Sequence, residues 1–241
     1  MSVIRKVIPK TRPFCTCVLV AAGSSQRMGR DKLSALLNGE PVLTYSLATL
    51  EQCACIDEVI VVTRADRIAE VAELCKARGF QKAVRVVCGG ETRTESALNG
   101  LTEMNRCTAI AAIHDAARPL ATVQLIEEVV AAAAKYLAAA PAVPVKDTIK
   151  QHDENNVVTG TPDRSTLSAV QTPQVFHADL IKGALTRAIQ DGKRYTDDCA
   201  AVEAMGVEVH LTAGSEENIK LTTPVDFALA EAILKERERR T

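Results

Sequence analysis

Residues 15–32 read CTCVLVAAGSSQRMGRDK. From Cys15 to Ala22 the stretch is continuously apolar or small, the pattern of a strand covered on both faces. At Gly23 it gives way to a polar loop that runs to Lys32 and carries Arg27 and Arg30. An apolar strand that opens directly into a small-residue, cation-rich loop is the usual start of an α/β nucleotide or phosphate site. Such a site needs a parallel sheet around it, built from further strands and crossover helices.

The remainder of the chain supplies them by alternation. A helical stretch from about Pro41 to Gln52 leads into a second apolar run, Glu58 to Thr63. Between Ala65 and Arg78, Ile68, Val71, Ala72 and Cys75 fall on one helical face, and Gly79 closes the helix. A third run, Val84 to Cys88, ends at Gly89–Gly90, and a helix follows to about Met104. A fourth, Ala109 to His114, meets Asp115; a helix is expected from Thr122 to about Ala139 and a fifth strand over Ala142 to Val145. Strand–helix alternation with short connections predicts parallel strands, right-handed crossovers and an open sheet with helices on both faces. The pattern breaks between about Lys146 and Gln174, where QHDENN interrupts any helical period. Such an insertion is expected to serve a purpose of its own. It reads as a β-arm, at about 146–172, projecting from a single domain that spans 1–241. Helices are then expected over His177–Gln190 and Thr196–Met205, with short strands near Val207–Leu211 and Ile219–Leu221. A last helix opens at Thr223–Pro224, with Asp226 in its first turn.

Composition narrows the function classes. The 29 Lys and Arg balance 30 Asp and Glu to a net charge of -1, so the basic excess that drives nonspecific nucleic-acid or membrane-surface binding is missing. No apolar stretch is long enough to span a bilayer. The opening MSVIRKVIPKTRPF is broken by charges and prolines, unlike a signal peptide. With 8 cysteines and no leader, free thiols and a cytoplasmic location are expected. The four histidines are scattered, and no Cys-x-x-Cys pair points to zinc.

Three polar features sit at three strand ends, where open parallel sheets bind ligands. In the first loop, Ala21, Ala22 and Gly23 allow close backbone approach, and the cations after them suit a polyphosphate. It lacks both the Gly-Lys-Ser/Thr of a Walker A loop and the glycine fingerprint of dinucleotide folds. The second, CGGETRTES from Cys88, offers Gly90, hydroxyls and Arg93 at a helix start, which fits a base or ribose site and equally an ordinary cap. In the third, HDAARP, Asp115 at a strand end is suited to a hard cation bridging phosphates, or to capping beside an ion-paired Arg118.

The ordered set AAGSSQRMGRDK, GGETR-x-x-S, HDAARP, KDTIK, DR, QTPQVF, TDD and NIK, from about residue 15 to residue 235, resembles the 2-C-methyl-D-erythritol 4-phosphate cytidylyltransferase family of the non-mevalonate isoprenoid pathway. The resemblance implies a Rossmann-like, mostly parallel twisted sheet with helices on both faces, and a homodimer in which each β-arm hooks into the partner. It also implies roles by motif position. Ala21, Ala22 and Gly23 would line the CTP phosphates, and Arg27 and Lys32 would stabilise charge on the reacting α-phosphate. Gly90, Glu91 and Ser96 would border cytosine and ribose. Asp115 and Arg118 would stand near the sugar phosphate and a metal held by Asp115, with Mg²⁺ or another divalent cation as cofactor. Thr148 and Arg164 on the arm would reach the other subunit's site, while Thr196 and Lys220 would hold methylerythritol phosphate and Arg164 with Lys220 would position it. Two positions depart from many members: Asp31 precedes the loop lysine where proline is common, and Ser25 replaces a glycine.

The chemistry agrees with such a site. When a phosphate oxygen attacks the α-phosphorus of CTP and pyrophosphate leaves, the nucleophile is already anionic and needs no general base. The protein must bring two anions together and neutralise them. Rival readings are a ribitol 5-phosphate cytidylyltransferase, a molybdopterin-type nucleotidyltransferase, a noncatalytic nucleotide sensor and a dinucleotide-dependent oxidoreductase. The last is opposed by Thr63–Arg64, which stand where a ribose-binding acid belongs.

Overall fold

A computed structural model describes residues 12–23 and 35–240. Arg27 and Lys32, with the rest of 24–34, lie outside the described residues. In chain order the elements are β1 (Phe14–Val20), the two-residue strands β2 (Leu36–Leu37) and β3 (Glu40–Pro41), α1 (Val42–Gln52), β4 (Glu58–Thr63), α2 (Ile68–Ala77), β5 (Ala83–Cys88), α3 (Arg93–Thr102) and β6 (Thr108–Asp115). Beyond β6 come α4 (Val123–Tyr136), β7 (Ala138–Pro144), β8 (Gln151–His152), β9 (Val158–Gly160), β10 (Ser168–Val170), β11 (Gln174–His177), α5 (Ala178–Gln190), α6 (Asp198–Glu203), β12 (His210–Ala213) and α7 (Pro224–Arg240).

The main sheet runs β10-β7-β11-β6-β1-β4-β5, with β12 also on β7. The half formed by β6, β1, β4 and β5 is parallel, as the alternation predicts. Side-chain alternation along β1 feeds two cores. Cys15, Cys17 and Leu19 belong to one, with Leu47 of α1, Val71 of α2 and Ile126 of α4. Val18 belongs to the other, with Leu101 of α3, Ile181 of α5 and Val202 of α6. The sheet is therefore covered on both faces. On the second face α3 comes unusually close: a Cβ on Gly100 would lie 2.3 Å from Val18 Cγ1 and 2.8 Å from Val62 Cγ2. The cysteines are free thiols and mostly core residues.

Three regions differ from expectation. The helix expected to reach Ala139 stops at Tyr136, because Leu137 takes a positive φ of 72° and turns the chain. Ala138, Ala139 and Ala140, good helix formers by composition, are fully buried in β7 instead, so burial overrides propensity. QTPQVF contains a strand that helix–strand alternation conceals. β11 runs antiparallel between β6 and β7, with Val175 opposite Ala112 on one side and Ala139 on the other. Finally, Ile219–Leu221 is not a strand, and the strand expected at Val207–Leu211 lies at His210–Ala213; Leu221 is instead buried in a small third core with Leu37 and Leu120.

The stretch expected to be an arm contains the β8–β9 hairpin, with Gln151 opposite Gly160. Its Val157 and Val158 are exposed, and β10 ties its return to β7 through Ser168 opposite Pro144. The last helix starts as its sequence indicates, although by a different contact: the Asp226 carboxylate accepts from the Thr222 and Thr223 backbone N–H groups at 2.6 and 2.7 Å. Among the described residues no helix is long and apolar enough to cross a membrane.

Candidate active site

After β1 the chain builds outward through β4 to β5, then returns to place β6 on the other side of β1. The crevice at the carboxyl ends of β1 and β6 is thus the point where strand order reverses, the place where such sheets bind ligands. A cavity of about 550 Å³ opens there. Ala21, Ala22, Gly23, Gly90, Glu91, Ser96, Asp115 and Lys220, all sequence candidates, line it. Four separate stretches of chain meet in this one space.

The glycine turn is shaped by packing. A Cβ on Gly89 would lie 2.5 Å from Ala22 Cβ and 2.8 Å from Ser96 Oγ, so glycine and alanine together let the β1 and β5 ends approach. Ser96 Oγ accepts the Gly90 N–H at 3.1 Å and donates to the Thr92 carbonyl at 2.9 Å. Its hydroxyl therefore holds the turn as well as facing the cavity. A capping box starts α3: Thr92 Oγ1 accepts the Glu95 N–H at 3.1 Å, and Glu95 Oε2 accepts the Thr92 N–H at 2.9 Å. Cap and cavity wall, alternatives in the sequence, meet at Thr92, which serves as both.

Asp115 is the electrostatic centre. Its Oδ1 accepts from Arg93 Nε at 3.1 Å and its Oδ2 from Lys220 Nζ at 2.5 Å. Burial works against its ionisation, but Arg93 and then Lys220 outweigh that and hold the carboxyl well below the usual range. Arg93 Nη2 also lies 2.8 Å from Oδ2 of Asp198, which is 1 % exposed. Burial pushes the Asp198 carboxyl up, against the pull of Arg93. Behind Asp115, Thr172 Oγ1 accepts the Asp115 N–H at 3.1 Å and contacts His114 Nδ1 at 3.0 Å. Thr172 Oγ1 thus ties the Asp115 backbone to the buried His114 ring. Burial lowers this imidazole to about 4, so it stays neutral.

Lys220 reaches Asp115 from a loop held elsewhere. Arg118 Nη1 donates to the Asn218 carbonyl, and the Leu221 N–H donates to the Ala117 carbonyl at 2.8 Å. Arg118 thus supports the wall from behind and is not among the lining residues. Thr148 and Arg164 lie on the arm, exposed and outside the cavity lining; Arg164 Nη1 donates to the Lys146 carbonyl at 2.8 Å. Thr196 is exposed just before α6, also outside the lining. Arg27 and Lys32 fall outside the described residues. Sequence reasoning left Arg93, Asp198, His114 and Thr172 without roles. Arg93 and Asp198 stand in the quoted motifs GGETR and TDD, but only the fold shows that they meet.

Comparison with known proteins agrees with this geometry. The sequence profile of 2-C-methyl-D-erythritol 4-phosphate cytidylyltransferase matches residues 15–236. A relative of that name from Caldanaerobacter subterraneus subsp. tengcongensis is 44 % identical over 227 residues, covering 91 % of this chain and 98 % of the relative. One from Symbiobacterium thermophilum is 43 % identical over 226 residues, covering 92 % and 93 %. The crystal structure of 4-diphosphocytidyl-2C-methyl-D-erythritol synthase from Anaerococcus prevotii superposes with a TM-score of 0.84 at 29 % identity, over 92 % of this chain and 96 % of that one. With the match running from β1 into α7 and spanning every wall of the cavity, the chain belongs to the 2-C-methyl-D-erythritol 4-phosphate cytidylyltransferase family.

Proposed function

We propose that this protein transfers CMP from CTP to 2-C-methyl-D-erythritol 4-phosphate, releasing pyrophosphate and forming 4-diphosphocytidyl-2-C-methyl-D-erythritol for isoprenoid precursor synthesis. The observation that carries the reading is the convergence of Ala21–Gly23, Gly90–Glu91, Asp115 and Lys220 on one cavity at the switch point of the sheet. The small residues of the first wall leave room for the nucleotide phosphates, with Arg27 and Lys32 after them in sequence. Gly90, Glu91 and Ser96 border the base and ribose. Lys220 meets the acceptor phosphate, whose oxygen attacks the α-phosphorus without a general base. Positioning and charge neutralisation are the protein's whole contribution to the step.

A divalent cation such as Mg²⁺ fits the donors present. Mg²⁺ commonly takes one or two carboxylates and completes its shell with phosphates and water. Asp115 is ionised, and its two cation contacts leave lone pairs on both oxygens. When bound, the ion would neutralise phosphate charge; Asp115 is the residue that would hold it. Among the described residues no cluster of three His, Cys, Asp or Glu offers a cage, which suits an ion that arrives with substrate phosphates.

The exposed hairpin, with Thr148 and Arg164 near its base and outside the cavity of its own chain, supports a homodimer in which each arm completes the partner's site. Neither nucleic acid nor membrane enters this reading, and a cytoplasmic location accords with the free thiols.

The direct test is Mg²⁺-dependent pyrophosphate release from CTP, with methylerythritol phosphate and ribitol 5-phosphate in parallel. Release with the first acceptor alone is expected. Release with ribitol 5-phosphate alone would keep the phosphate site and overturn the acceptor, and none with either would leave a nucleotide-binding protein.

A further inference from the structure

We propose that Arg93 is a positioning residue for cytidylyl transfer: gripped from behind by Asp198, it fixes the Asp115 carboxylate and, through it, the place of the Lys220 ammonium. The inference rests on Asp115 and Lys220 belonging to the reaction site.

The contacts form one line, Asp198–Arg93–Asp115–Lys220, at 2.8, 3.1 and 2.5 Å. It joins α6, the first residue of α3, the end of β6 and the loop before α7, elements that share no local sequence. Asp198 does not line the cavity, whereas Arg93 does, with 31 % of its side chain open. A carboxylate so deeply buried is costly unless paired, so its value lies in what it holds. Asp198 is itself held from the core. Gln174 Oε1 accepts the Asp198 and Cys199 N–H groups at 3.0 and 3.1 Å, and Gln174 Nε2 donates to Asp197, the cap of α6, at 2.8 Å.

Arginine suits this task for a geometric reason. Its planar fork sends Nε to Asp115 as a hydrogen bond and sets Nη2 beside Asp198 as a close ion pair, so one rigid group spans both carboxylates; a lysine ammonium is a point charge on a flexible stem. Arg93 also keeps the local balance. With Arg93 and Lys220 opposite Asp115 and Asp198, the two pairs sum to zero charge. Removing Arg93 alone leaves an excess negative charge facing an anionic substrate.

The test compares Arg93→Lys, Asp198→Asn, the double variant Arg93→Gln/Asp198→Asn and Asp115→Asn in full-length protein. Steady-state kinetics with CTP and methylerythritol phosphate are read beside thermal unfolding. The partner behind a metal-holding group, as Asp115 is in the proposed function, typically matters about 10–100-fold in metal affinity or activity. Asp198→Asn and the double variant are expected to lose kcat on that scale with KM for CTP little changed. The double variant should melt near the parent because it removes both charges of the pair together, leaving neither unpaired. Arg93→Lys should restore only part of the rate. Parent-like kcat in the double variant, with Asp115→Asn inactive, would make the Arg93–Asp198 pair purely structural and overturn the proposal. Parent-like kcat in Asp115→Asn would overturn it together with the site on which it rests. If the double variant does not fold, parent-like kcat in Arg93→Lys overturns it.

Discussion

A guanidinium nitrogen of Arg118 donates to the carbonyl of Asn218 at 2.6 Å, and by that contact the turn after β6 takes hold of the loop that carries Lys220. Asn218 is fully buried, and its Nδ2 donates in turn to the Thr172 carbonyl at 3.0 Å. Arg118, Thr172 and Asn218 therefore set the distance between Asp115 and Lys220 from outside the cavity. Asn218→Ala would leave the Thr172 carbonyl without this donor, at a cost of about 1–3 kcal/mol. Both the unfolding midpoint and kcat should fall, and a variant that loses stability alone would show that the loop keeps its place without this contact.

His114 makes stability depend on pH in a definite direction. Its folded imidazole titrates at about 4, against an ordinary 6.5. Between those values the unfolded chain takes up a proton that the folded one refuses. Its contribution is complete above pH 6.5, is lost as the pH falls toward about 4, and changes no further below. The loss is on the order of 3 kcal/mol. Asp115, held low, adds a loss of the same sign in stronger acid. Urea midpoints measured from pH 7 to 4 should decline, and His114→Asn should flatten that stretch.

Close packing gives a matched pair of glycine substitutions. At Gly100 a new methyl would meet Val18 and Val62 well inside contact distance, whereas nothing lies within 4 Å of the position at Gly183 on α5. Gly100→Ala should destabilise by about 1–3 kcal/mol. Gly183→Ala should stabilise by about 0.4–1 kcal/mol. In a chain of this size each kcal/mol moves the melting temperature by roughly 2–4 °C. Equal shifts in the two variants would contradict the approach of α3 to the sheet.

Arg27 tests the phosphate loop by activity. A well-placed arginine is worth about 10³–10⁵ in other phosphoryl transfers. Arg27→Ala is expected to lower kcat strongly, and near-normal turnover would remove the loop from the reaction.

The arm gives a complementation test. If Arg164 serves the partner's site, mixing Arg164→Ala with Arg27→Ala subunits creates heterodimers with one intact site. Random pairing would restore roughly a quarter of parent activity. No recovery would place both residues in one subunit's site or leave Arg164 structural.

Most of the architecture was legible because parallel strands buried on both faces write themselves as apolar runs, as in Val59–Val62. The turn at Leu137 was not, since alanines on either side suit a helix and only burial makes Ala138–Ala140 a strand. β11 was hidden behind a polar stretch and a proline. Residues of the cavity that sit in short motifs, Ala21 or Gly90, could be picked out directly. Arg93 could not be given its partners, because Asp115 and Asp198 reach it only through the crossing of three elements.

The antiparallel β11 also bears on how the chain is made. Because it fills the gap between β6 and β7, the middle of the sheet has no completed hydrogen-bond ladder until residue 177 has left the ribosome. A nascent chain that has already emerged through β7 carries two buried-type strands with open edges, the kind of surface that invites pairing with another chain. A nascent chain halted with its emerged part ending between residues 144 and 174 should therefore be the most aggregation-prone and chaperone-dependent form of this protein.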